Sequence, residues 1–142
     1  MILIDINLLI YAYHAETPHH AAALAWFGTV LGRGELLGVP IPVAWGFLRV
    51  STTARMWPNP AAPDQAFAML NEFLAIDTVV LIDHGPRHLQ ILQELLTRYN
   101  IAGPKVSDAV LAAFAIEHNA TLASTDRDFA RFESLRWVNP IA

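Results

Sequence analysis

The sequence predicts an α/β fold: a short central parallel sheet covered by helices on both faces. Three observations predict it. Short apolar runs alternate with longer segments of helical spacing along the whole chain. Each short run is apolar throughout rather than on alternate residues, as expected of strands buried on both faces. No stretch reads as a linker, repeat or low-complexity tract, so residues 1–142 are expected to form one domain.

The first run, Ile2-Leu3-Ile4, is a strand that ends at Asp5. Thr17-Pro18 starts a helix over His19 to Leu31. Gly32, Gly34 and Gly38 punctuate a turn and a second strand near Leu36 to Ile41. Pro42 suits the first turn of a helix reaching about Thr53, where its missing amide has no helical partner to lose. Trp57-Pro58-Asn59-Pro60 interrupts the chain, and Pro63-Asp64 opens a helix to about Leu74. Thr78 to Ile82 is a strand by its β-branched content. Pro86 to Tyr99 is helical, with Leu89, Leu92, Leu95 and Leu96 on one face. After Gly103-Pro104, Asp108 opens a helix through Ile116. Thr121 to Ser124 forms a fourth strand and Trp137-Val138 a short fifth.

Hydrophobic residues make up 54% of the chain and the mean hydropathy is +0.36. One core absorbs much of that, and the remainder predicts an apolar partner surface. Nine Lys and Arg against thirteen Asp and Glu give a net charge of -4. That argues against tight binding to nucleic acid through bulk charge, although a cluster of acidic metal ligands would itself lower the count. With no cysteine, disulfides and thiolate metal sites are excluded. No apolar run reaches the roughly 18 residues of a membrane span, and no basic residue precedes the first run. No membrane partner and a cytoplasmic location are therefore expected. A Gly-rich phosphate loop and a GxSxG elbow are both missing. His19 and His20 point to different sides of a helix, and His84 and His88 lack the glutamate of an HExxH site.

Four aspartates carry the chemistry. Asp5 ends a strand, Asp108 opens a helix, and Asp126 and Asp128 follow another strand. In open α/β sheets, groups beyond strand carboxyl ends share one edge. Carboxylates crowded there repel, and a divalent cation relieves the repulsion. Each aspartate also has a plainer role open to it. Asp5 can cap a helix, as can Asn7, which can alternatively hold Asp5 or a bound water. Asp108 suits the first helical turn, with Ser107 as the cap, and Asp126 and Asp128 suit a turn.

These segments resemble PIN-domain ribonucleases of the VapC type, toxins of bacterial toxin–antitoxin pairs. Leu3-Ile4-Asp5-Ile6-Asn7 is similar to the family's opening motif. Val106-Ser107-Asp108-Ala109 and Leu122-Ala123-Ser124-Thr125-Asp126-Arg127-Asp128-Phe129 are similar to its later acidic motifs, and Asn139-Pro140 fits its end. The resemblance implies a Mg²⁺- or Mn²⁺-dependent endoribonuclease. Asp5, Asp108 and Asp126 would be catalytic metal ligands. Asp128 would serve a second ion or orient a water, and Asn7, Ser107 and Thr125 would support them. It further implies products with a 5′-phosphate and a 3′-hydroxyl, a structured RNA substrate such as tRNA or rRNA, an antitoxin partner and a homodimer. Arg49, Lys105, Arg127 and Arg131 are candidates for RNA phosphates. Trp26, Phe27, Trp45, Phe47 and Trp57 are candidates for the antitoxin groove or for the core.

One departure stands out. Where the family carries a glutamate, Pro42-Val43-Ala44-Trp45-Gly46-Phe47-Leu48-Arg49 places Gly46. Glu35 and Glu72 are the candidate substitutes, and nothing in the sequence aims them at the cluster. This keeps open a weakened or inactive PIN domain with a binding role. A phosphoacceptor receiver module, built on Asp5, Asp83 and Lys105, is the reading from another class, although its acids and lysine fall in the wrong places.

Overall fold

A computed structural model describes residues 1–142. Five strands form one sheet: β1 (Ile2–Ile4), β2 (Leu37–Pro40), β3 (Val79–Ile82), β4 (Thr121–Ala123) and β5 (Arg136–Val138). All pair in parallel, in the order β3-β2-β1-β4-β5. Six helices connect them: α1 (Ile6–Tyr13), α2 (His20–Gly32), α3 (Ile41–Ser51), α4 (Pro63–Leu74), α5 (His88–Arg98) and α6 (Val106–Glu117). The chain steps outward from β1 through β2 to β3, then returns across the sheet to β4. Right-handed crossovers therefore put α1 to α4 on one face and α5 and α6 on the other. The core lies between these layers and the sheet, with Leu3, Ile4, Leu37, Val39 and Leu122 fully buried.

The expected strands and helices are present within a residue or two of their expected ends, with one addition. Helix α1 follows β1 directly, and Asp5 caps it by accepting the Ile6 amide at 2.7 Å. Its sequence, INLLIYAY, buries Leu8, Leu9 and Ile10 in succession. A helix apolar on nearly every side has no polar face, so spacing did not reveal it. Helix α5 begins at His88 rather than Pro86. Its start is held from a distance: the Glu117 carboxylate accepts the amides of Gly85 at 2.7 Å and Arg87 at 2.8 Å.

The aromatic side chains divide unevenly. Phe27, Phe47 and Trp57 are core residues and Trp26 is half-buried, so four of the five groove candidates are not free surface. Only Trp45 stands clear, at 67% exposure. Trp57 stacks on buried His14 at 4.2 Å and donates to the Val50 carbonyl at 2.8 Å, while His14 Nε2 lies 2.9 Å from Ser51 Oγ. These contacts pin the Pro-rich break after α3 against the core.

Gly38 sits mid-sheet in β2 between the side chains of Leu3 and Ile82, both inside the distance that a Cβ would need. Gly38→Ala is expected to lower stability by about 1–3 kcal/mol, the usual cost of overpacking a core. Urea unfolding of the two proteins measures it, and an unchanged midpoint would show that Leu3 and Ile82 move aside freely.

Candidate metal centre

β1 and β4 are neighbours whose onward connections leave in opposite directions, which opens a crevice beyond their carboxyl ends. β1 delivers Asp5 to that crevice. β4 delivers Ser124, then Asp126 and Asp128 in a short 3₁₀ turn over Arg127–Arg131. The first turn of α6 brings Asp108 from the side. The opposite wall is α3, with Pro42, Val43, Gly46 and Arg49, in a cleft of roughly 220 Å³ that also includes Asp5, Ile6, Ser107 and Asp108.

The tightest grouping is Asp108, Asp126 and Asp128, each offering a carboxylate oxygen within 4.8 Å of the other two. Three hard oxygen donors at that spacing fit Mg²⁺ or Mn²⁺. Asp5 stands behind them, 8% exposed. Its Oδ2 accepts from Ser124 Oγ at 2.6 Å and from Asn7 Nδ2 at 3.3 Å. Burial pushes the Asp5 carboxyl up, the Ser124 and Ile6 hydrogen bonds pull it back, and repulsion from Asp108 and Asp126 adds to the rise. Asp108 is also raised, by burial and then by Asp126, against the pull of Lys105 and Arg131. The plainer roles and the site therefore coexist. Asp5 caps α1, and Asp126 closes its turn by accepting the Asp128 amide at 2.9 Å.

The supporting residues differ from expectation in two places. Asn7 does hold Asp5. Ser107 lines the cleft but does not cap α6, which begins at Val106 after a 3₁₀ turn over Gly103–Lys105, with Lys105 at the cap position. Thr125 makes no side-chain hydrogen bond, and the role expected of it falls to Ser124. That fully buried hydroxyl donates to Asp5 and accepts the Asp126 amide at 3.0 Å. The signal was present in the sequence as a polar residue ending an apolar strand just before the acidic turn.

Among the cations, Lys105 pairs with Asp128 and lies 3.7 Å from Asp108. Arg131 stacks over Phe132 at 5.2 Å and lowers the proton affinity of Asp108 and Asp128. Arg127 is exposed and pairs with none of the acids, while Arg49 lines the cleft. At Gly46 a Cβ would come within 2.5 Å of Ile6 Cδ1, so the position faces the cluster but its space is taken. Asp83 follows β3, an edge strand separated from β1 by β2, which removes the receiver arrangement. The histidines supply nothing to the cleft.

The PIN domain family matches residues 2–135. Ribonuclease VapC33 of Mycobacterium tuberculosis is 40% identical over 141 residues, 99% of each chain. Two solved structures share the fold at low identity. VapBC2 from Rickettsia felis, bound to a promoter DNA fragment, has TM-score 0.70 and 21% identity over 98% of both chains. Mycobacterium tuberculosis VapC20 has TM-score 0.71 and 15% identity over 96% of this chain and 99% of its own. The chain belongs to the PIN-domain family, among relatives that are VapC ribonucleases.

Without metal, Asp5 and Asp108 hold protons more tightly folded than in the unfolded chain, where aspartate titrates near 3.8. The unfolded chain ionises first as pH rises, so stability declines from about that pH upward until both have ionised in the folded state, and the loss persists above. Asp128, held low by exposed Lys105, works weakly in the other direction. Asp108→Asn is expected to flatten the decline and raise Tm of chelator-treated protein near neutral pH. An unchanged Tm-against-pH curve would show that Lys105 and Arg131 already neutralise the cluster.

Proposed function

We propose that this protein is a divalent-metal-dependent endoribonuclease that acts as the toxin of a toxin–antitoxin pair. The convergence of Asp108, Asp126 and Asp128, with Asp5 beside them at the carboxyl edge of a PIN-family sheet, carries the reading. The ribonuclease name of a 40% identical relative over the full chain supports it. Mg²⁺ is the proposed ion, with Mn²⁺ able to replace it; Asp5, Asp108 and Asp126 would hold it, with Asp128 beside them to orient a water. When bound, such an ion neutralises charge at a phosphate and makes a water ionisable near neutral pH. The Ile6 amide and the Ser124 hydroxyl hold the Asp5 carboxylate in one orientation, which would favour its role as a ligand. Lys105 and Arg131 supply positive charge for the flanking phosphates. Water adds to phosphorus as the bond to the 3′-oxygen breaks, leaving a 5′-phosphate and a 3′-hydroxyl.

The proposed substrate is an unpaired loop of a structured RNA such as tRNA or rRNA, because loops expose unstacked bases. An antitoxin is the proposed protein partner, and a homodimer the proposed assembly. Exposed Leu24, Trp45, Phe67 and Leu89 leave apolar surface for such contacts. No helix is long and apolar enough to cross a membrane, and the cytoplasm is the proposed location. The missing carboxylate at Gly46 favours one alternative, an inactive domain retained for binding.

One assay separates the two. Purified protein is incubated with RNA in Mg²⁺, Mn²⁺ or chelator, beside Asp108→Asn and Asp126→Asn. Cleavage is expected to rise from acid toward neutral pH, to vanish in chelator, and to fall on the order of 100-fold or more in each variant. Cleavage that persists in chelator, or products ending in a 2′,3′-cyclic phosphate, would sink the metal mechanism.

A further inference from the structure

The two walls of the cleft are built from opposite chemistry. Asp108, Asp126 and Asp128 gather on one wall with their oxygens within 4.8 Å of one another. The other wall is α3, whose sequence, IPVAWGFLRVS, holds no carboxylate and one charge, Arg49. Gly46 supplies no carboxylate, and the end of the Ile6 side chain occupies the space at its Cβ position. Asp5, between the walls, accepts from the Ile6 amide, Ser124 and Asn7, and its one free lone pair, on Oδ1, can serve one ion only. Ligands for one hard cation are therefore present on one side, and ligands for a second are missing on the other.

Arg49 lines this second position and forms none of the ion pairs in the structure. A guanidinium is permanently charged and offers a planar fork of donors matched to a phosphate. We infer that this site takes a single divalent ion, and that Arg49 is its second cation, a catalytic residue that binds the scissile phosphate of RNA from the α3 wall. The inference rests on the nuclease reading above. It makes the Gly46 departure an exchange of cations rather than a loss of activity.

Two readouts test it, one independent of cleavage. Calorimetric titration of metal-free protein with Mn²⁺, without RNA, is expected to give one ion per chain. Arg49→Ala should keep that stoichiometry, with metal affinity unchanged or tighter, because a nearby positive charge is gone. Its cleavage should fall about 100-fold, the scale on which loss of one donor to a developing oxyanion is felt. Arg49→Lys should recover part of the loss, since it keeps the charge without the fork. Arg49 is exposed on its helix, and matching thermal melts establish that the variants fold. Two ions per wild-type chain, or an Arg49→Ala protein that cleaves as wild type does, would overturn the inference while leaving the nuclease reading intact. Wild-type protein that binds one ion yet cleaves no RNA would overturn both.

Discussion

Ser124 Oγ donates to Asp5 Oδ2 at 2.6 Å and accepts the Asp126 amide at 3.0 Å, with no exposure to solvent. Those bonds join the end of β1 to the end of β4 where the sheet delivers its charges. Asp5, Asp108 and Asp126 repel one another there, and these bonds work against that repulsion together with the strand ladder. A hydrogen bond to a charged group contributes about 1.5–3 kcal/mol, more than the neutral bonds of the ladder. Being buried, Ser124 also loses little of that to competing water. The orientation of Asp5 and the turn that aims Asp126 and Asp128 both follow from this contact.

The remaining repulsion is met by cations of the chain itself. Lys105 bridges toward Asp128 and Asp108, and Arg131 lies near enough to affect both. Both are exposed and hold the acids loosely, as surface pairs do. They can exchange carboxylates for phosphates without unfolding anything. Asp5 differs: it is fixed from three directions and nearly out of water. The site thus has a rigid back and a labile rim, an arrangement suited to seating a polyanion that must later leave.

Most of this architecture was legible in the sequence because its strands are short, wholly apolar and well punctuated. Asp5 and Asp126 were legible as sheet-edge acids for the same reason: each follows its strand at once. Three features were not. Helix α1 is apolar on almost every side, so it shows no period. The start of α6 is set by Gly103, at φ 65°, which turns the chain into a 3₁₀ segment that ends two residues before the expected cap. Ser124 and Thr125 are adjacent polar residues, and β4 is buried on both faces, so alternation could not say which one points inward. In each case burial on all sides, or a left-handed turn, erased the contrast that a sequence pattern needs.

Gly46 follows from the same geometry that positions Asp5. Asp5 caps α1, so Ile6 must be the first residue of that helix, and its side chain then projects into the cleft against α3. The space beside position 46 is occupied by Ile6 Cδ1, and glycine is the residue that fits without displacing it. Glycine inside a helix costs about 0.5–1 kcal/mol relative to alanine. That cost is offset by Ile6 packing on the cleft wall rather than facing water. A larger residue at 46 would have to turn the Ile6 side chain aside, while the cap, made by the Ile6 backbone amide, would stay in place. One turn further along the same helix face, three residues on from 46, stands Arg49. The one charge that α3 brings to the cleft is thus a cation, set beyond the glycine against which Ile6 packs.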